Sequence, residues 1–332
     1  MAAASIGRAD DRYGPMHPTL RDKPAPIALG CMNFGKRTDR ATSERIMSAA
    51  CDAGIEMFDT ANVYNDGESE RIVGAFIRSG GAQARVATKV GLGRMANRNE
   101  GLSPSRVLAA CDESLGRLGI EVIDLYYLHA PDADTPLRET VSAVSRLLSA
   151  GKIQSWGVSN FASWQILELC GYADQAEIPR PVMAQQMYNA LIRQLDIEYF
   201  AYARAHPIHT TVYNPLAGGL LTGMHQRDHR PAPGSRFDKN QMYQRRYWQD
   251  PFFTATDTLK GIAAQHGLSL LELAYAFVFR HPNVDSVLVG PATVAHLDAA
   301  LGAASVELSP EARRDIDLVA LSLCGTDAKY AR

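Results

Sequence analysis

Val122-Ile-Asp-Leu-Tyr-Tyr-Leu-His129 is an apolar run that stops on an imidazole. A strand this apolar cannot keep one face wet, as expected of a parallel strand covered by helices. Similar runs lie on either side of it. Pro26–Cys31, Glu56–Asp59 and Arg85–Lys89 come before; Ile153–Val158, Pro181–Gln185, Ile208–Tyr213 and Val284–Val289 come after. Between the runs lie helix-like stretches such as Ser43–Ala53, Ser69–Arg78, Ser105–Leu118, Leu137–Ser149 and Trp164–Tyr172. Several open on a capping residue and close on glycine: Thr42 or Ser43 before Gly54, Ser103-Pro104 before Gly119, Thr135-Pro136 before Gly151.

Strands alternating with helices predict a parallel α/β protein, and eight strands are the number that closes a single (β/α)8 barrel of the TIM type. A doubly wound sheet is the competing architecture, and it usually announces itself with G-x-G-x-x-G after the first strand. Here the first strand runs into Ala28-Leu-Gly-Cys-Met-Asn-Phe-Gly35, which does not fit, and Gly91-Leu-Gly-Arg94 after the third strand lacks the last glycine. The barrel is therefore the preferred reading. Residues 1–25 are polar and Pro-rich and read as a loose arm ahead of a barrel domain over 26–332. Ala217–Phe253, after the seventh strand, is long, aperiodic and dense in Gly, Pro, Arg and aromatics. It reads as a folded excursion over the barrel mouth. Ser309-Pro-Glu311 opens an extra C-terminal helix running to about Leu323.

The net charge of −2 offers no electrostatic case for nucleic acid or an anionic membrane. No apolar run is long enough to span a bilayer, and Met1–Arg8 lacks the apolar core of a signal peptide. Five scattered cysteines, Cys31, Cys51, Cys111, Cys170 and Cys324, form no C-x-x-C pair, so no disulfide framework or metal site is expected. A cytoplasmic protein is the expectation.

Active sites of such barrels sit at the C-terminal ends of the strands. Asp59 ends the second strand with Tyr64 in the loop beyond it, Lys89 ends the third and His129 the fourth. A free phenol, with a pKa of ~10, is a poor proton donor to a forming alkoxide at neutral pH. A nearby ammonium would lower that pKa, a carboxylate would keep the ammonium charged and aimed, and a neutral imidazole would orient a carbonyl oxygen. Singly, Asp59 reads as a turn cap, Lys89 as a solvated strand end, His129 as a satisfied core histidine and Tyr64 as packing. Together they suit proton chemistry at a carbonyl.

Phe58-Asp-Thr-Ala-Asn-Val-Tyr64 with Gly67-Glu-Ser-Glu-Arg-Ile-Val-Gly74, Ala87-Thr-Lys-Val90, Asp124–His129 and Gly157-Val-Ser-Asn-Phe161 resemble the signature of the aldo-keto reductase superfamily. Asn214-Pro-Leu-Ala-Gly-Gly-Leu-Leu-Thr-Gly223, Arg236-Phe, Tyr243…Arg246-Tyr-Trp248 and the ending Tyr330-Ala-Arg332 are most similar to its aflatoxin-aldehyde and succinic-semialdehyde reductase branch. The resemblance implies NADPH-dependent reduction of an aldehyde or ketone, with Tyr64 as acid and Asp59, Lys89 and His129 in support. It implies cofactor contacts from Ser159, Asn160 and Gln185, a stacking Tyr213, and phosphate contacts from Asn214, Leu216, Gly218, Ser235 and Arg236. Met32, Trp248, Tyr330 and Arg332 are expected to face a small carbonyl substrate, the terminal arginine meeting a carboxylate. A homodimer or higher homo-oligomer is hinted at by the same branch.

The adenosine half departs from the branch. Gly290-Pro-Ala-Thr-Val-Ala-His-Leu-Asp-Ala-Ala300 keeps Gly290, but His296 stands where a Gln is expected and Ala300 where an Asn is expected. Ala299 and Ala292 replace polar residues, and Met224 replaces a common Lys. Three readings stay open: a reductase with altered adenosine contacts, using His296, Arg236 or another Arg; a redox-neutral enolisation, dehydration or epimerisation by the same quartet; and a cofactor-sensing binding protein.

Overall fold

In the computed structural model, residues 26–80, 84–95 and 98–324 are described. The barrel strands are β1 (Ile27–Gly30), β2 (Met57–Asp59), β3 (Arg85–Val90), β4 (Ile123–Leu128), β5 (Ile153–Ser159), β6 (Met183–Met187), β7 (His209–Tyr213) and β8 (Ser286–Val289). Each pairs in parallel with the next, and β8 pairs with β1, so the eight close into a barrel. The expected runs fall on these strands with shifts of a residue or two at their ends. The proposed arm, residues 1–25, lies outside the described residues.

Strand alternation separates two cores. Leu29, Phe58, Val86, Tyr126, Trp156, Val158 and Val212 point outward into a large cluster shared with the helices. Ala87, Leu125, Tyr127 and Met183 form a second cluster inside the barrel. Gly157 serves that interior, because a Cβ there would lie 2.9 Å from the Tyr127 ring and 2.7 Å from the Met183 carbonyl oxygen.

The covering helices are α1 (Arg40–Asp52), α2 (Glu68–Arg78), α3 (Pro104–Leu118), α4 (Leu137–Ser149), α5 (Ser163–Gln175), α6 (Tyr199–Ala205), α7 (Gln241–Tyr247), α8 (Asp250–Gln265), α9 (Leu270–Phe279), α10 (Val294–Ala304) and α11 (Pro310–Cys324). The cap of α1 is Asp39, whose carboxylate accepts from Thr42 N at 2.7 Å, so Thr42 and Ser43 already lie inside the helix. Gly54, Gly119 and Gly151 close α1, α3 and α4 with φ of 77°, 64° and 66°, the left-handed turn that a Cβ disfavours. The expected excursion holds a 3-10 turn over Ala217–Thr222 and the short α7, and its last residues enter α8. A seven-residue helix is too short to show a period. Among the described residues no single helix is long and apolar enough to cross a membrane; α8 and α9, bent by 90°, bury apolar residues in the outer core.

Gly91 and Gly93, the nearest approach to a phosphate loop, donate their backbone N–H groups to the Glu100 carboxylate at 2.8 and 2.9 Å. They close a turn beside the small hairpin Arg94–Met95/Arg98–Asn99, which the sequence reading left out.

Gly74 lets α2 approach the end of α3: a Cβ there would lie 2.0 Å from the Leu118 carbonyl oxygen. In an open helix Gly→Ala gains about 1 kcal/mol. Here Gly74→Ala is expected to lose about 1–3 kcal/mol through overpacking. Urea unfolding reads the sign, and a midpoint that stays or rises contradicts the close approach.

Candidate active site

The period of two that builds the inner core also places the polar residues. Asp59 follows Met57 on β2, Lys89 follows Ala87 on β3, His129 follows Tyr127 beyond β4, Ser159 follows Gly157 on β5 and Gln185 follows Met183 on β6. All lie on the inward face near the C-terminal end. Gln185 Nε2 donates to Asp59 Oδ2 at 2.8 Å, joining β6 to β2, which are not neighbours. That bond crosses the barrel interior.

Lys89 Nζ pairs with Asp59 Oδ1 and donates to the Thr60 carbonyl oxygen at 2.7 Å. Lys89 is wholly buried and Asp59 is 2% exposed. The Lys89 ammonium lies 5.1 Å from the Tyr64 ring centroid and 5.6 Å from that of Tyr127. Tyr64 meets His129 edge-on at 5.8 Å between centroids. The four expected catalytic side chains therefore share one place. Beneath them Glu70, fully buried on α2, accepts from Thr88 Oγ1 at 2.6 Å and pairs with Arg117, which fixes β3 from outside.

Burial, then the Asp59 carboxylate and Tyr243, push the Tyr64 phenol well above its ordinary pKa. The Lys89 ammonium beside the ring is itself engaged by Asp59 and Thr60, and the net direction is upward. The phenol thus stays protonated, the form a donor needs. Burial also raises Asp59, against the opposing pull of Lys89 and the hydrogen bonds from Lys89 and Gln185. Burial and the Lys89 charge hold His129 well below its usual range, so its imidazole is neutral.

The next three strand ends carry a second polar group. Asn160 and Asn214 turn the chain out of β5 and β7 at φ of 64° and 66°, a conformation asparagine tolerates. Asn160 Nδ2 donates to the His129 carbonyl oxygen at 2.9 Å and to Ser159 Oγ at 3.0 Å, while Tyr213 Oη donates to Asn160 Oδ1 at 2.6 Å. The half-exposed Tyr213 ring thus lies at the mouth. Asn214 Nδ2 reaches Tyr247 Oη at 2.6 Å, and its Oδ1 accepts from Gly218 N at 2.7 Å, which orders the turn beginning at Leu216. Gly218 has φ 73°, and a Cβ there would lie 2.7 Å from the Tyr243 ring. Gln185, expected to hold a carboxamide, donates one amide hydrogen to Asp59.

Around the rim, Arg236 donates to Met32 Sδ at 3.0 Å and to Asn33 Oδ1 at 2.9 Å. Asn33 Nδ2 donates onward to the Gly290 and Pro291 carbonyl oxygens at 3.0 and 3.1 Å. Met32, Arg236 and Gly290 thus meet through Asn33, a buried residue the sequence reading passed over although it sits just beyond β1. Arg37 was also missed, and Tyr243 was read only as part of the branch likeness. Among the described residues Ser235 Oγ is buried without a hydrogen-bond partner. His296 is exposed, as is Ala299, but Ala300 is fully buried with Leu297 on the packed face of α10. Its alanine fills core here and is no gap at the rim. Trp248 packs against His225, Phe237 and Phe253, with centroids 5.0 to 5.3 Å away, inside the excursion's aromatic cluster. Tyr330 and Arg332 lie outside the described residues.

The depressed His129 pKa has a direct consequence. The folded ring stays neutral while the unfolded ring protonates below about pH 6.5. The unfolded state then binds more protons, so stability is whole above that pH and falls as pH drops, by up to ~1.4 kcal/mol per unit. Denaturant unfolding between pH 7.5 and 5.5 is expected to show a steeper fall for the wild type than for His129→Asn. Equal slopes contradict a buried neutral imidazole.

Comparison with known proteins agrees with this geometry. The Aldo/keto reductase family matches residues 26–320. Human aldo-keto reductase family 7 member A3 is 34% identical over 299 residues, covering 86% of this chain and 89% of the relative. A probable voltage-gated potassium channel subunit beta of Arabidopsis thaliana is 32% identical over 275 residues, covering 81% and 84%. The solved glycerol dehydrogenase of Gluconobacter oxydans superposes with a TM-score of 0.76 at 26% identity, covering 96% of this chain and 99% of that one. An inward-facing Tyr, Lys, Asp and His at the mouth of a closed eight-stranded barrel and a match spanning nearly the whole described chain lead to one conclusion: this protein belongs to the aldo/keto reductase family and is an oxidoreductase.

Proposed function

We propose that the protein reduces an aldehyde or ketone to an alcohol with NADPH, and that Tyr64 donates the proton. The observation that carries this is the protonated phenol held between a buried, carboxylate-paired ammonium and a neutral imidazole. As the carbonyl carbon is reduced, its oxygen gains basicity and takes the Tyr64 proton. The phenolate left behind forms beside the Lys89 charge, which favours it over an isolated buried phenolate. His129 presents a neutral ring that can orient the carbonyl oxygen without competing as an acid. Asp59 and Gln185 keep Lys89 in place.

The residues present fit a nicotinamide dinucleotide. The Tyr213 ring, Ser159 and Asn160 suit the nicotinamide; Asn214, Leu216 and Gly218 suit the phosphates; the orphaned Ser235 Oγ and Arg236 suit a further anionic oxygen. When bound, the cofactor supplies the hydride. We also place the protein in the cytoplasm, as a homodimer or larger homo-oligomer acting on a small carbonyl compound; five free thiols suit a reducing compartment.

A fluorescence titration should show micromolar NADPH binding, and no binding at millimolar cofactor refutes the reductase. In that event, solvent exchange of a substrate α-proton would favour enolisation, and its absence a cofactor-sensing binding role. Tyr64→Phe is expected to lower kcat by about 10²–10⁴-fold while cofactor binding is retained. A variant with near-wild-type kcat contradicts the assignment.

A further inference from the structure

Among the described residues the Tyr64 hydroxyl makes no hydrogen bond, and the ammonium beside its ring is committed to Asp59 and Thr60. Ring contacts to Lys89 and to the edge of His129 leave the direction of the phenol open. Its aim is therefore set by the backbone that carries it.

That backbone turns sharply. Asn65, Asp66 and Gly67 take φ of 52°, 55° and 79°, three left-handed residues in a row directly after Tyr64. Glycine adopts this conformation freely, whereas a residue with a Cβ pays for it, asparagine and aspartate least. The Asn65 amide offsets the cost. Its Nδ2 donates to the Phe34 carbonyl oxygen at 2.6 Å and to the Met32 carbonyl oxygen at 3.1 Å, so both amide hydrogens grip the loop after β1.

The two ends of the Tyr64 loop are held by other residues. Thr60 N donates to the Ala87 carbonyl oxygen at 2.8 Å, and Asn62 Nδ2 donates to the Glu100 carboxylate at 2.7 Å. At the exit, Ser69 Oγ donates to the Cys31 carbonyl oxygen at 2.8 Å and meets Thr60 Oγ1 at 2.8 Å. Between them the turn has Asn65, with an exposed contact from Arg71 to the Asp66 carbonyl oxygen at 3.3 Å. Loss of the Asn65 amide thus frees the turn and leaves its ends in place.

We propose that Asn65 is the positioning residue of the proton donor: it pins the left-handed turn to Met32 and Phe34 and so aims the Tyr64 phenol at the carbonyl oxygen. The proposal rests on Tyr64 as the acid. Because the same amide holds Met32, the donor and the loop expected to face the substrate keep one spacing.

Kinetics of the full chain with NADPH and nitrobenzaldehyde test this. Asn65→Ala is expected to lower kcat about 10- to 100-fold, with NADPH affinity and KM changed by less than about twofold. Its solvent deuterium isotope effect on kcat should rise, because a misaimed acid makes proton transfer slower. A merely structural asparagine would reduce the folded fraction and leave that isotope effect unchanged, which overturns the proposal. In the Tyr64→Phe background Asn65→Ala should cost less than about twofold more, and a loss as large as in the wild type also overturns it. Near-wild-type kcat in Tyr64→Phe refutes the acid itself, whereas a slow Tyr64→Phe beside an unimpaired Asn65→Ala refutes only the role of Asn65. If Asn65→Ala does not fold, Asn65→Gly, which permits the left-handed turn but lacks the amide, is expected to show the same loss. Fluorine NMR with meta-fluorotyrosine reads the ring without turnover. The Tyr64 resonance, identified by its loss in Tyr64→Phe, should shift or broaden in the Asn65 variant, and an unchanged resonance overturns the proposal.

Discussion

The ion pair between Lys89 and Asp59 is the constraint on which the site depends. Taking both charges out of water costs several kcal/mol per ion, and their attraction repays it only with good geometry and further hydrogen bonds. Thr60 supplies a carbonyl oxygen to the ammonium, and Gln185 supplies an amide to the carboxylate. Three strands, β2, β3 and β6, must therefore close at the right register before the pair becomes affordable. A barrel meets that demand because parallel pairing fixes every neighbour, with Asp59 opposite Ala87 and Lys89 opposite Tyr127.

The chemistry follows from the same burial. A dry environment keeps the Tyr64 phenol protonated and the His129 imidazole neutral, so the donor and the orienting group are both in their working forms. The mouth is less dry. There asparagines in the left-handed conformation turn the chain, Tyr213 is held by Asn160, and arginines gather around Asn33. One end of the cleft thus favours proton transfer and the other favours anions.

Strand-end position made the catalytic quartet legible, because Asp59, Lys89 and His129 each close an apolar run and Tyr64 lies in the loop beyond Asp59. The motif Gly67–Gly74 was legible only as a likeness; its last glycine proves to be a packing requirement against the Leu118 carbonyl oxygen. Asn33 and Arg37 left little trace, since a loop has no period and their partners lie some 200 to 258 positions away along the chain. Ala300 was misleading for the opposite reason. Its neighbours along the helix do not say which face is packed, and in the fold that face is core.

By itself the sequence determined eight apolar strands separated by helices, the barrel they close, and the four side chains delivered to its mouth, because local periodicity and strand-end position are short-range properties. Tertiary structure alone decided that Gln185 serves Asp59, that Lys89 is committed to its carboxylate, and that Arg37 stands beside Arg236. Those depend on which side chains meet across the barrel and on how much water is excluded, quantities set by three-dimensional closure and by no local pattern.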